Sequence, residues 1–403
     1  MANVNRLSTA NMYANTIVSM TKQQKELTEQ MEHVSAGKKV LRASDDPVAA
    51  AQAERARARY ERLGTDQRAL DAQTATITYG ESSLGEIVDA LQKFRELTIN
   101  AGNGSYTQTE RDALVKQMES LRSQILGYAN RKDSNGLPLF RGLDSQEQLI
   151  SGQYNYDGQA GQQSSTDSGI PSSLDGALAF MSGKTGNGVL AVEQGSNSGK
   201  AWADVGSIKD PAAATAFVGP QTISFAVDST TGDVSYSMDS GVTYTAYKSG
   251  EAIRIAGMDL TITGVPENGD TFTVTPSTRT DLFSVLDSAI AVARNSGQMD
   301  GSTAYGELAH GLAKVQAEID TAMNRISTVR SYAGDLLQQS DRMGTTILGR
   351  QQQEESLRSA AEDLNDTEMI AALSKLKNQE TAVSTALQSY ASIQKLSLFN
   401  FIN

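Results

Sequence analysis

The chain has 403 residues, a formal charge of -12, no cysteine and two histidines. That length allows two or three domains with real cores, and the missing thiols exclude disulfides, thiolate nucleophiles and iron-sulfur sites. His33 and His310 belong to no repeated ligand pattern, so zinc is not expected, and the acidic balance speaks against nucleic acid unless a strong basic stripe is present.

The first expected helix runs from about Thr9 to Ala36. Tyr13, Ile17, Met20, Gln24, Leu27, Met31 and Val34 follow at steps of 4, 3, 4, 3, 4, 3, one narrow seam with a single polar member. Gly37 supplies the left-handed stop. In the next stretch, VLRASDDPVAAAQ, two adjacent carboxylates precede a proline. A cation site needs further oxygens and a catalytic dyad needs a pocket, and neither is visible. The pair is read instead as a helix start, with Asp46 as N-cap and Pro47 at the first helical position, where its missing N–H costs nothing.

ERARARYERLG then spreads Arg55, Arg57, Arg59 and Arg62 around a helix beside Glu54 and Glu61, a solvated or subunit-facing pattern. Leu70, Ile77, Leu84 and Leu91 continue that helix at steps of seven, supported by Ile87, Val88 and Phe94. NAGNGSYTQTE interrupts it, and Thr107 with Glu110 has the spacing of a capping box for a third helix. Leu114, Met118, Leu121, Ile125 and Tyr128 form its seam.

Glycine, serine, threonine and aspartate dominate the middle. Apolar residues alternate with polar ones at Ile223, Phe225 and Val227; Val234, Tyr236 and Met238; Val242 and Tyr244; Ile253 and Ile255; Leu260 and Ile262; and Phe272 and Val274, which predicts strands. QYNYDG and NGVLAV are further strand candidates. The following helix is expected from about Ala304 to Leu364, its seam unbroken from Leu308 to Ile347. It would be about 90 Å long, too long for one compact domain. In the last helix Met369, Leu373, Leu376, Glu380, Val383, Leu387 and Tyr390 repeat the 4, 3 spacing, again with one polar member in fourth place. Centred antiparallel pairing of the first and last helices would set Gln24 against Glu380.

No phosphate loop or calcium loop is present; GMDLTITG and DSNGLP lack the spaced acids and read as turns. No catalytic, cofactor-binding or metal site is found, and no cofactor is implied. The N-terminus has no signal-peptide core and no apolar run would span a bilayer, so membrane insertion is not expected. The fold class is mainly α with an inserted β domain: a long helical coiled-coil rod from the N- and C-terminal parts and a strand-rich middle. The expected divisions are 1–40 plus 365–403, 41–142 plus 281–364, and 143–280.

HVSAGKKVLRASDDPVAAAQA, LQKFRELTINAGNGSYTQTERDAL, YANRKDSNGLPLFRG and the terminal LSLFNFIN resemble the flagellin superfamily across both helical ends. SDDPVAAAQ, and an ending of Leu398-Phe399-Asn400-Phe401-Ile402, resemble its hook-filament junction branch more than flagellin, which remains the alternative. A secreted coiled-coil adhesin would also show heptads. The resemblance implies a structural, non-enzymatic part of the bacterial flagellum. It would be exported by the flagellar type III route without a cleaved signal, and its partners would be copies of itself, the hook-proximal junction protein, flagellin and an export chaperone. It further implies that the terminal helices pair as the inner lining of a tube and the strand-rich part projects outward. LQKFREL, Leu91–Leu97, resembles a flagellin segment read by an innate immune receptor, a likeness that subunit packing explains equally well.

An isolated helix of this length and polarity is marginal in water. Both terminal segments are therefore expected to be largely disordered in the free subunit and to fold on assembly. Hydrogen exchange on a monomeric sample should find little protection across Tyr13 to Val34; strong protection there contradicts the expectation.

Overall fold

The structure, a computed structural model, describes residues 3–103, 106–143, 150, 169–195, 197–198, 200–295 and 302–402. Three helices come first: α1 (Asn3–Ala36), α2 (Pro47–Ala101) and α3 (Gln108–Ala129). The middle holds β1 (Gly183–Lys184), β2 (Leu190–Gln194), β3 (Ala201–Ala203), β4 (Ser207–Ile208), α4 (Pro211–Ala216) and β5 (Gln221–Val227). It continues with β6 (Val234–Ser237), β7 (Thr245–Ala246), β8 (Ala252–Ile255), β9 (Met258–Gly264), β10 (Thr271–Pro276) and β11 (Arg279–Thr280). Helices α5 (Leu282–Asn295), α6 (Ser302–Glu362) and α7 (Asp366–Ile402) close the chain. NGVLAV leads into β2, whereas QYNYDG lies outside the described residues. Long terminal helices thus flank a strand-rich middle region. The chain forms two compact units, Leu70–Arg342 and Met1–Ala69 with Met343–Asn403.

In the unit Leu70–Arg342 the helical seams make the core. Leu70, Ile77, Leu84, Ile87, Leu91 and Phe94 of α2 are buried, as are Leu308 through Leu336 along the α6 seam. The two helices run antiparallel: Thr74 meets the Ser340 hydroxyl, Glu81 takes Arg330 at 2.6 Å, and Arg95 forks onto Asp320 at 2.6 and 3.2 Å. In LQKFREL, then, Leu91 and Phe94 are core and Arg95 is tied to α6. Helix α3 starts on a capping box, Thr107 N donating to Glu110 Oε2 at 2.7 Å and Glu110 N to Thr107 Oγ1 at 3.4 Å. It packs against α5 with an Arg122–Asp287 ion pair at 2.6 Å.

Apart from the short antiparallel pair of β1 with β11, the strands form two antiparallel sheets. One has the order β2-β10-β5-β6-β7; in the other, β9 lies between β3 and β4 and also pairs with β8. Period-two burial turns Ile223, Phe225, Leu260, Ile262, Phe272 and Val274 into a shared core, with Phe225 edge-on to Tyr247 at 5.2 Å. The β8–β9 hairpin turns on Ala256 and Gly257, both with positive φ (50° and 77°). A Cβ at Gly257 would stand 2.6 Å from the Asp210 carbonyl, so only glycine fits.

One expected strand is corrected. Val242 and Tyr244 are exposed and belong to a turn, and β7 starts only at Thr245. The Asp239 carboxylate takes the Val242 and Thr243 N–H groups at 3.1 and 2.9 Å, the donors a ladder would have used. Thr243's side-chain and backbone bonds hold that carboxyl below its ordinary range.

Helix α6 also seats the sheets. Buried His310 places Nδ1 2.9 Å from the Ala203 carbonyl, to which it must donate, with its ring against Phe272. Two turns on, Glu318 Oε1 accepts from Gly186 N at 3.1 Å. Burial lowers the His310 pKa, with Lys314 adding to the shift and the backbone carbonyls and Glu193 opposing it; burial raises that of Glu318. The unfolded chain then binds the His310 proton more tightly. Stability from this group is complete above its ordinary value of 6.5 and falls as pH drops through the lower folded value. Glu318 acts oppositely, in a window that opens above its ordinary 4.5. Urea unfolding of this unit's signal should show a loss of stability from pH 7 to pH 5 that is smaller in His310→Gln.

Candidate assembly interface

The unit made by residues 1–69 and 343–403 is built around two connections that clasp each other. Gly37, at φ +65°, ends α1, and its carbonyl accepts from Leu364 N at 2.9 Å. In return the Glu362 carbonyl accepts from Lys39 N and Val40 N at 2.7 and 3.3 Å. Charges reinforce the clasp: Lys38 reaches Glu362 at 2.8 Å, Lys39 reaches Glu368 at 3.4 Å, and Arg358 holds Glu355 and Glu362.

The two aspartates divide the labour. Asp45 Oδ2 closes the turn behind it, accepting from Arg42 N at 2.8 Å and Leu41 N at 3.0 Å. These bonds, led by the one from Arg42, hold its carboxyl below the usual carboxylate range. Asp46 Oδ1 faces forward and accepts from Val48 N and Ala49 N at 2.9 and 3.0 Å, with Pro47 as the first residue of α2. At the other connection Asn365 and Glu368 exchange bonds of 2.8 and 3.0 Å to start α7.

Beyond the clasp α1 and α7 run antiparallel, Gln30 Nε2 donating to the Ala372 carbonyl at 3.5 Å. The structure places the seam residues on two faces. Met20, Leu27 and Val34 of α1 and Met369, Leu376, Val383 and Tyr390 of α7 are buried or half-buried. Ile17, Gln24 and Met31, and Leu373, Glu380 and Leu387, are exposed. The side chains of Tyr13 and of Phe399 through Ile402 lie outside the described residues.

Between the buried members the inward positions belong to Thr16, Gln23 and Gln30, and to Ala372, Gln379 and Ala386. At the register of the Gln30–Ala372 bond, Gln23 comes opposite Gln379, not Gln24 opposite Glu380. The expected pair is therefore not formed within the chain. The pair is rolled by one residue because burying an ionised carboxylate costs more than burying an amide, and because alanine permits close approach. Even the amides are imperfectly housed: Gln23 Oε1 and Gln379 Oε1 are buried without a hydrogen-bond partner. Spacing alone could not choose between Leu373 and Ala372; the alanines one residue ahead of Leu373 and Leu387 were the available signal.

What the roll leaves outside is apolar. Met31 is 54% exposed and Ile370 69%, with Ile17, Val18, Leu373 and Leu387 also outward. Among the described residues no group of acids and histidines could hold a metal, and no helix is long and apolar enough to cross a membrane.

Residues 7–145 match the model of the bacterial flagellin N-terminal helical region, from α1 into the segment after α3. Flagellar hook-associated protein 3 of Escherichia coli is 24% identical over 402 residues, covering 98% of both chains. The crystal structure of the flagellar junction protein FlgL from Legionella pneumophila superposes with a TM-score of 0.66 at 29% identity, over 72% of this chain and 99% of that one. Along nearly its whole length the chain is similar to hook-associated protein 3 of the flagellin superfamily. Likeness to a filament protein is shorter: the 33 kDa core protein of Treponema phagedenis is 30% identical over 119 residues, 29% of this chain and 41% of that protein.

If the clasp starts α2, Asp46→Ala should destabilise the unit of residues 1–69 and 343–403 by about 1 kcal/mol, and Asp46→Asn by less. Exchange of the first amides of α2, Val48 and Ala49, should accelerate in the alanine variant first.

Proposed function

We propose that the chain is a structural subunit of the bacterial flagellum that assembles into the junction between hook and filament. One observation carries this reading. In the unit of residues 1–69 and 343–403 the buried apolar side chains, among the described residues, are Val40, Ala53, Ala56, Ala361, Ala372 and Val383. Four of these are alanines, too little apolar area to offset the ordering of helices this long. Larger apolar side chains line the outside of the same helices, as expected of surfaces completed by other subunits.

In this reading residues 1–40 and 365–403 line the inside of a tube, 41–142 with 281–364 form the surrounding rod, and 143–280 project outward. The partners are further copies of the chain, the hook-proximal junction protein on one side and flagellin on the other. Export runs through the flagellar type III apparatus to the outside of the cell, with a chaperone covering the α7 stripe before assembly. The full-length likeness to a hook-associated protein, against a match to about a third of the chain for a filament protein, supports the junction over the filament.

Deleting the gene tests it. Cells lacking the chain should keep an intact hook and release flagellin into the medium as soluble monomer. Filaments of normal length and number in the deletion strain would reject the junction role.

A further inference from the structure

The outward stripes of α1 and α7 share one pattern. Gln24 stands between Ile17 and Met31, and Glu380 between Leu373 and Leu387, each at steps of seven. All six side chains are exposed in the single chain. Laid antiparallel, the stripes match at one register: Gln24 on Glu380 brings Ile17 onto Leu387 and Met31 onto Leu373.

A single chain cannot make this match. Both stripes face away from the α1–α7 contact, whose register is fixed by Gln30 and the Ala372 carbonyl. We infer that Gln24 of one copy donates to Glu380 of a neighbouring copy and sets the axial register of the assembly. The inference rests on the assembly reading above and names the partner surface as a second copy of this chain.

Chemistry selects this pairing over the alternatives. Two α7 stripes would set carboxylate against carboxylate, whereas the Gln24 amide carries two donors and an ionised carboxylate only accepts. A slip by one heptad would leave the amide on an apolar side chain and the carboxylate on another, each covered and unpaired. A lone polar pair in an apolar seam is therefore a register device, gained at some cost in stability. Lys377 Nζ, 2.9 Å from Glu380 Oε2, offsets part of the charge and lowers the cost of covering it. The contact also continues the α1–α7 interface onto its other face.

Because the chain has no cysteine, introduced thiols are the only ones present. Full-length Gln24→Cys and Glu380→Cys variants are expressed together in cells lacking the native copy, and their flagella are isolated and oxidised. A disulfide-linked dimer containing one of each variant is expected, while either variant alone gives at least about tenfold less disulfide-linked dimer of any kind. Ile17→Cys with Leu387→Cys lies at the same register and should behave alike. Flagella that assemble without either mixed dimer overturn the pairing and leave the junction role standing. A Gln24→Cys/Glu380→Cys double variant that cross-links within the purified monomer overturns it too. Charge gives a second readout, since Gln24 is exposed in the subunit and can be changed without disturbing its fold. Gln24→Glu should lower incorporation into flagella about tenfold or more, whereas Gln24→Lys should keep it; equal incorporation of the two contradicts the pairing.

Discussion

The constraint on which the rest depends is a shortage of apolar burial at the chain's two ends. Helices α1 and α7 are long, yet among the described residues they bury little beyond Ala372 and Val383, while Ile17, Met31, Ile370 and Leu373 are exposed in the single chain. Ordering a helical residue costs about 1 to 2 kcal/mol of backbone entropy, which tertiary burial must offset. In the proposed assembly the missing burial comes from other subunits. The other unit is the contrast: the α2 and α6 seams and the core of the two sheets are buried within the subunit.

If neighbouring copies complete the terminal unit, its two stripes still have to be presented in a fixed relation. The clasp does this with backbone chemistry in place of a core. Gly37 and Glu362 exchange main-chain bonds with the opposite connection, Asp45 and Asp46 lock the turn on both sides, and Asn365 with Glu368 starts the return helix. Such bonds need little apolar area, and they set the direction of both helices at once. The charged groups around them are half-buried at most and still reached by solvent, so they contribute orientation more than stability.

Helices, caps and most strands were legible in the sequence because each rests on a local signal. The 4, 3 spacing marks α1, α6 and α7; Thr107 and Glu110 mark the start of α3; period-two alternation marks β5, β9 and β10. What the spacing could not reveal was which neighbour each half of a seam would face. On α7, Leu373 and Ala372 are adjacent, and the choice between them depends on the cost of covering Glu380, a property of the packed pair. Val242 and Tyr244 failed for a different reason: a side chain four residues earlier, or fewer, captured the backbone donors before a strand could. The resemblance to the flagellin superfamily came from the residues around the clasp, from the stretch that joins α2 to α3, from the segment after α3 and from the chain end.

If the terminal helices take their stability from other copies, their openings should be frequent in the monomer and rare in the assembly, with the sheet-bearing unit unaffected. Limited trypsin digestion reads this directly at Lys22, Lys25, Lys375 and Lys377, which are exposed on α1 and α7. Cleavage at these four sites should slow about a hundredfold or more when the chain is built into flagella, while the unit Leu70–Arg342 survives in both states. Equal cleavage rates in monomer and assembly would contradict the dependence of the terminal helices on neighbouring copies.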